Sequence, residues 1–249
     1  MKRTLRRFAC LTALFSVIVF SANAQQQVEQ IPALFSTGLP EAASPEDGLP
    51  AGAIAYIRLN NALTLLDNLD SFASTIVPEK AMPPELAEIF AKPKPIVTFL
   101  GAQLAGQPIP LEEFPARLGI ALDRPIALAI YPTPNGFALS VPLADSTVAA
   151  NLIQGMLQPR SITKFEAGAK SYYQIIPAPG SFGNELYMAA SEKTAVFCGS
   201  QETLKALLDA PQDNRLAADP IMKNGVAAYE KGDVTLILSP NALKPQLPT

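Results

Sequence analysis

Residues 122–158 read Leu-Asp-Arg-Pro-Ile-Ala-Leu-Ala-Ile-Tyr-Pro132, then Thr-Pro-Asn-Gly136, then Phe-Ala-Leu-Ser-Val-Pro-Leu143, then Ala-Asp-Ser-Thr-Val-Ala-Ala-Asn-Leu-Ile-Gln-Gly-Met-Leu-Gln158. The pattern is strand, turn, strand, helix. Pro125–Tyr131 is a nearly unbroken apolar run. So short a run without alternation predicts a strand covered on both faces. Pro134-Asn135-Gly136 predicts a hairpin turn, because Asn and Gly tolerate the positive φ such a turn needs. Phe137–Leu143 then returns antiparallel. Asp145 and Ser146 offer side-chain oxygens to the free N–H groups of a helix start. Val148, Leu152, Ile153, Met156 and Leu157 recur at helical spacing and make one apolar face. Gly155 weakens that helix and Pro159 ends it.

The same grammar extends outward in both directions. Upstream, Gly52–Leu59 reads as a strand, and Asn60 or Asn61 caps a helix carrying Leu63, Leu66, Leu69 and Phe72. A second helix starts at Met82-Pro83-Pro84-Glu85 and a third covers Ile96–Leu104. Gly106–Phe114 is a loop leading to a turn around Glu113–Leu118. Downstream, Phe165–Ile176 is a strand pair or one bent strand, and Pro177–Gly183 is a loop. Leu186–Ala190 and Thr194–Gly199 form a hairpin, Ser200 caps a helix over Gln201–Asp209, and Asp219-Pro220 opens a short one. Gly232–Leu238 is the last strand. The expected fold class is α+β, with antiparallel β-hairpins forming a sheet and amphipathic helices packed on one face.

The chain start carries Lys2, Arg3, Arg6 and Arg7, an apolar run Phe8–Phe20, and small residues at Ala22 and Ala24. That is the pattern of a secretory signal peptide. Its apolar run is shorter than the ~20 residues of a comfortable membrane span. The expected organisation is a signal peptide over 1–24, a flexible linker over 25–49 and an α+β domain over 50–239. That domain is one unit or two sub-units, 50–158 and 159–239. A Pro-rich tail follows over 240–249. Gly52–Leu63 and Gly232–Leu243 share a leading glycine, five strand positions and Asn-Ala-Leu at the same spacing. Duplication and convergence of two strand-to-cap junctions both account for that likeness.

Export changes the charge. The whole chain has 19 Lys+Arg and 22 Asp+Glu; without the four basic residues of the leader it stands at 15 against 22, a net −7. An acidic domain is a poor partner for nucleic acid or anionic lipid. One cysteine, Cys198, remains after the leader, so no internal disulfide can form, and it reads as a small buried residue in a strand. The chain has no histidine. Ser-His-Asp and Cys-His hydrolysis and the usual His/Cys zinc sites are therefore excluded. Ser161-Ile-Thr-Lys164 matches Ser-x-x-Lys in two residues only and reads as a solvated loop. Glu112-Glu113 diverge, and Asp67 and Asp70, three apart on a helix, read as solvated surface acids. Tyr172, Tyr173 and Phe182 read as core and edge residues rather than a ligand groove. No catalytic, cofactor-binding or metal-ligating residue is assigned, and no cofactor is expected.

Three short motifs resemble a group of uncharacterised bacterial exported proteins that share a domain of unknown function. They are Leu49-Pro-Ala-Gly-Ala-Ile-Ala-Tyr-Ile57, Leu118-Gly-Ile-Ala-Leu-Asp-Arg-Pro125 and Gly199-Ser-Gln-Glu-Thr-Leu204. The resemblance covers about Leu49–Asp219. It implies an envelope α+β domain, often in tandem copies, and brings no activity and no catalytic residues. The function expected is a non-catalytic, periplasmic or extracellular module that binds another envelope protein or assembles with itself. It has no integral membrane segment once the leader is removed. The alternative is a carrier of a small apolar or lipidic ligand.

Overall fold

In the computed structural model, residues 37–76, 94–105, 109–157, 159–178, 185–229 and 231–239 are described. The expected signal peptide, the helix expected to start at Met82–Glu85 and the expected Pro-rich tail lie outside them. Among the described residues eight strands form one sheet: β1 Ala55–Leu59, β2 Ile126–Ile130, β3 Phe137–Pro142, β4 Ser161–Ala167, β5 Lys170–Ile176, β6 Leu186–Ala190, β7 Thr194–Cys198 and β8 Val234–Leu238. Their order across the sheet is β4-β5-β6-β7-β3-β2-β1-β8, and every neighbour is antiparallel. Among the described residues the helices are α1 Pro45–Gly48, α2 Ala62–Ile76, α3 Pro95–Ala105, α4 Phe114–Leu118, α5 Ser146–Leu157, α6 Gln201–Asp209 and α7 Pro220–Ala228. The α+β class is as expected. The helices, however, pack on both faces of the sheet rather than on one.

Local chemistry explains the elements. Asn61 Oδ1 accepts from Thr64 N at 2.9 Å and starts α2. Asp145 Oδ1 accepts from Thr147 N and Val148 N at 2.9 and 3.0 Å and starts α5. Ser200 and Asp219 do the same for α6 and α7. In the β2–β3 turn Gly136 N donates to Thr133 O at 2.9 Å, and Asn135 takes φ 52°. A Cβ at Gly136 would collide with Thr133. Gly119, at φ 69°, ends α4 where a Cβ would strike the backbone at Asp145 and Ala149. Phe165–Ile176 resolves into the β4–β5 pair, and β4 begins earlier, at Ser161.

Two layers of side chains cover the sheet. On face A, Tyr56, Ala127, Ala129, Ala138, Val196 and Cys198 meet Leu204, Leu207 and Leu208 of α6 and Met222 of α7. Strands β2, β3 and β7 supply small residues there and the helices supply large ones, which lets the layers approach closely. Part of the stretch expected to be a flexible linker also packs on this face. Thr37 Oγ1 donates to Ala190 O at 2.6 Å, Ser44 and Asp47 form a capping box at the start of α1, and Leu49 is wholly buried. On face B, α5 covers β5, β6 and β7 through Leu157 and Ala149. Leu66 of α2, Val97 and Leu100 of α3 and Phe114 and Leu118 of α4 gather over the end marked by Leu59 and Ile126.

Strand β2 is therefore not covered equally on both faces. Ala127 and Ala129 are buried on face A, while Ile126, Leu128 and Ile130 on face B are half-buried. The apolar run alternates by size, and hydropathy alone hides that alternation. One sheet also joins both proposed sub-units, because β7 of the second lies beside β3 of the first.

Candidate interaction surface

One row of side chains crosses the whole of face B. Register places Leu236, Ile57, Leu128, Leu139, Phe197, Met188, Tyr173 and Lys164 side by side, from β8 to β4. Met188 and Tyr173 lie buried under α5. Ile57, Leu128, Leu139 and Phe197 are half-buried. Leu236, at the β8 end, is 61% exposed, and its strand neighbours Val234 and Leu238 on the same face are 50% and 53% exposed. Face A of the same strand is sealed: Thr235, Ile237 and Ser239 are buried. Solvent-facing Val and Leu on a strand with a buried Thr invert the usual alternation.

The backbone of β8 sharpens this. Asn60 N donates to Asp233 O and Ser239 N donates to Ile54 O, each at 3.0 Å. Alternation along an antiparallel ladder then turns residues 233, 235, 237 and 239 toward β1. The N–H and C=O groups of Val234, Leu236 and Leu238 point out of the sheet's edge. The residues with bare apolar side chains thus also carry the edge hydrogen-bonding groups. Nearby, Asn68 Nδ2 of α2 donates to Asp233 Oδ2 at 2.8 Å. Phe72, one helical turn along the same side of α2, is 49% exposed.

Several described polar groups hold the fold together. Glu46 Oε1 of α1 accepts from the Tyr56 hydroxyl and, at 2.8 Å, from Arg58 Nη1, in a nearly buried cluster. Burial first, and the Glu46 charge second, push the Tyr56 phenol well above its ordinary range. On face A a cleft of about 640 Å³ opens between residues 39–48 and β3 and β7, with Arg124, Lys170, Arg215, Glu41, Asp47 and Ser140 in its wall. Two of its cations brace backbone. Arg215 donates to Gly48 O, Leu207 O and Ala210 O at 3.0, 2.9 and 2.6 Å, and Lys170 Nζ donates to Leu208 O.

The candidates from sequence do not converge. Ser161 and Lys164 lie in strand β4 rather than a loop, and three residues apart on a strand they point to opposite faces. Lys164 pairs with Glu166 at 3.0 Å. Glu112 and Glu113 sit exposed on a 3-10 turn, where Glu113 meets Arg117 at 3.4 Å. Asp67 is exposed and pairs with Lys94, but Asp70 is 3% exposed and not a solvated acid. Its carboxylate accepts from Ile96 N and Val97 N at 2.6 and 3.3 Å, capping α3 from α2. Burial raises its pKa, and those two bonds oppose the shift. Tyr172 and Tyr173 are core residues on opposite faces, Tyr172 stacking on Phe165 with ring centroids 5.3 Å apart. Phe182 lies outside the described residues. The Cys198 thiol is pushed well above its ordinary range by complete burial in β7. Among the described residues no group of three or more Asp, Glu or Cys is placed to hold a metal, and no helix is long and apolar enough to cross a membrane.

Comparison with protein-family models, with curated proteins and with solved structures gives no match. The resemblance to the exported-protein group therefore rests on its three short motifs alone. The β8 surface is the feature that sequence reasoning missed. Its signal was the order of Val234-Thr-Leu-Ile-Leu238, in which the one polar residue occupies the side that proves to be buried.

Proposed function

We propose that the protein is a non-catalytic exported module that docks a protein strand on the β8 end of its sheet. The observation that carries the reading is the exposure of Val234, Leu236 and Leu238 on a strand whose outward backbone groups are unpaired among the described residues. A bare apolar edge is an aggregation hazard unless something covers it. The leader Met1–Ala24 supports an envelope location, and the acidic balance argues against nucleic acid. The lipid-carrier alternative draws no support from the face A cleft. An acyl chain there would strip water from Arg124, Glu41 and Asp47 without replacing it.

The test is a photo-crosslinking residue placed at Leu236, with a second at Thr163 on β4 as control, in the cells that make the protein. The expected result is a protein adduct at 236 and none at 163. Equal labelling at both positions, or none at 236, overturns the proposal.

A further inference from the structure

We infer that the strand docked on β8 belongs to a second copy of this chain, paired antiparallel about a two-fold axis at Leu236. The inference rests on the docking role proposed above and names its partner. Outward N–H and C=O groups at 234, 236 and 238 recur every second residue, and only another extended strand presents matching groups. The question is which strand, and β8 complements itself.

Antiparallel pairing of two identical strands always has two-fold symmetry. The one register that pairs all five residues of β8 centres on Leu236. Leu236 then faces Leu236 of the second copy, and Val234 faces Leu238 in both directions. All of these are outward-bonding positions, so the pair closes about six backbone hydrogen bonds. Directly opposed side chains lie on the same face, so face B of one copy continues into face B of the other. The bare ends of the two rows, each Leu236 followed by Ile57 and Leu128, meet as one apolar strip. Charge does not oppose this. β8 has no charged residue, and Asp233 falls opposite Ser239 rather than opposite its own copy. The other edge fails the same trial: pairing all seven residues of β4 with itself sets Lys164 opposite Lys164. One self-complementary edge and one self-repelling edge make a closed dimer rather than a filament.

The test uses sedimentation equilibrium on the protein as its cells make it, with Leu236→Glu and Leu236→Lys. Leu236 is mostly exposed, so both variants keep the fold, checked by circular dichroism and unfolding midpoint. The wild type is expected to dimerise. Each variant alone is expected to associate roughly 100-fold more weakly, because like charges meet at the axis. An equal mixture of the two is expected to dimerise again, with Glu facing Lys. A wild type that stays monomeric at roughly 100 µM, far above any physiologically tight Kd, overturns the inference. So do variants that dimerise like the wild type, or a mixture that stays monomeric. The adduct at 236 separates the two levels. A monomeric wild type crosslinked to another protein overturns the second copy and leaves docking standing. A monomer with no adduct, or one linked to another segment of its own chain, overturns both.

Discussion

At one end of the sheet β4 presents Lys164 and Glu166 on face B, bridged at 3.0 Å; at the other end β8 presents Val234, Leu236 and Leu238 on that same face. Among the described residues both are edge strands with one neighbour each. β4 keeps its outer face charged, as edges do when nothing is to pair with them. Its apolar residues, Ile162 and Phe165, lean inward onto the clusters of β5. β8 keeps Thr235 and Ile237 inward under α7 and turns its leucines to water. The difference teaches that an edge is silenced by particular side chains. An edge that lacks them leaves apolar side chains and backbone groups open to pairing.

The largest expected effect tests whether the β8 half is sealed on face A. Arg58, on β1 beside β8, is 11% exposed and bonded to Glu46, and its Nε finds no partner among the described residues. Removing Glu46 leaves that guanidinium buried without its counter-charge. Glu46→Ala is expected to cost about 3–5 kcal/mol in urea unfolding. A cost under about 1 kcal/mol would mean that water reaches the pair and that face A is as open as face B.

The next contrast lies within one strand. Ile237 packs so tightly on α7 that a Cβ at Gly225 would press into it, while Leu236 beside it points to solvent. Ile237→Ala is expected to cost about 2–4 kcal/mol, from lost burial and the cavity left behind. Leu236→Ala, measured where the chain is monomeric, is expected to change stability by less than about 0.5 kcal/mol. Similar losses at both positions would show that the outer side of β8 is packed too.

The sequence made some of this legible. Local chemistry announced the β2–β3 hairpin, the cap at Asp145, the β6–β7 hairpin around Ser191-Glu192-Lys193 and the caps at Ser200 and Asp219, because each is decided within a few residues. What depended on distant partners was not announced. β7 lies beside β3 and β8 beside β1, and nothing near those strands states it. Without that order, no reading of Val234–Leu238 could say it was an edge. Asp70 was legible in principle: it follows buried Leu66 by four residues and so lies on the buried stripe of α2. Its partners, Ile96 and Val97, are 26 and 27 residues away, so it read as a surface acid. The likeness of Gly52–Leu63 to Gly232–Leu243 does not survive as equivalent packing. It aligns buried Tyr56 with exposed Leu236, on opposite faces of neighbouring strands.

The smallest expected effect on stability carries the sharpest test of the comparison. Lys164 and Glu166 are exposed, so their bridge is screened and holds the fold little. Lys164→Val with Glu166→Val is therefore expected to leave the unfolding midpoint unchanged within error. It removes the self-repulsion of β4 and gives that edge an apolar outer face like that of β8. A chain with two self-complementary edges no longer closes on one two-fold axis; each copy can accept a neighbour at both ends. Sedimentation velocity is expected to show a broad series of species that grows with concentration, where the wild type gives a single small one. Should the double variant sediment like the wild type, the charges would not be what silences β4. The contrast between the two edges would then lie in the backbone, in how far each strand's outward N–H and C=O groups can be reached.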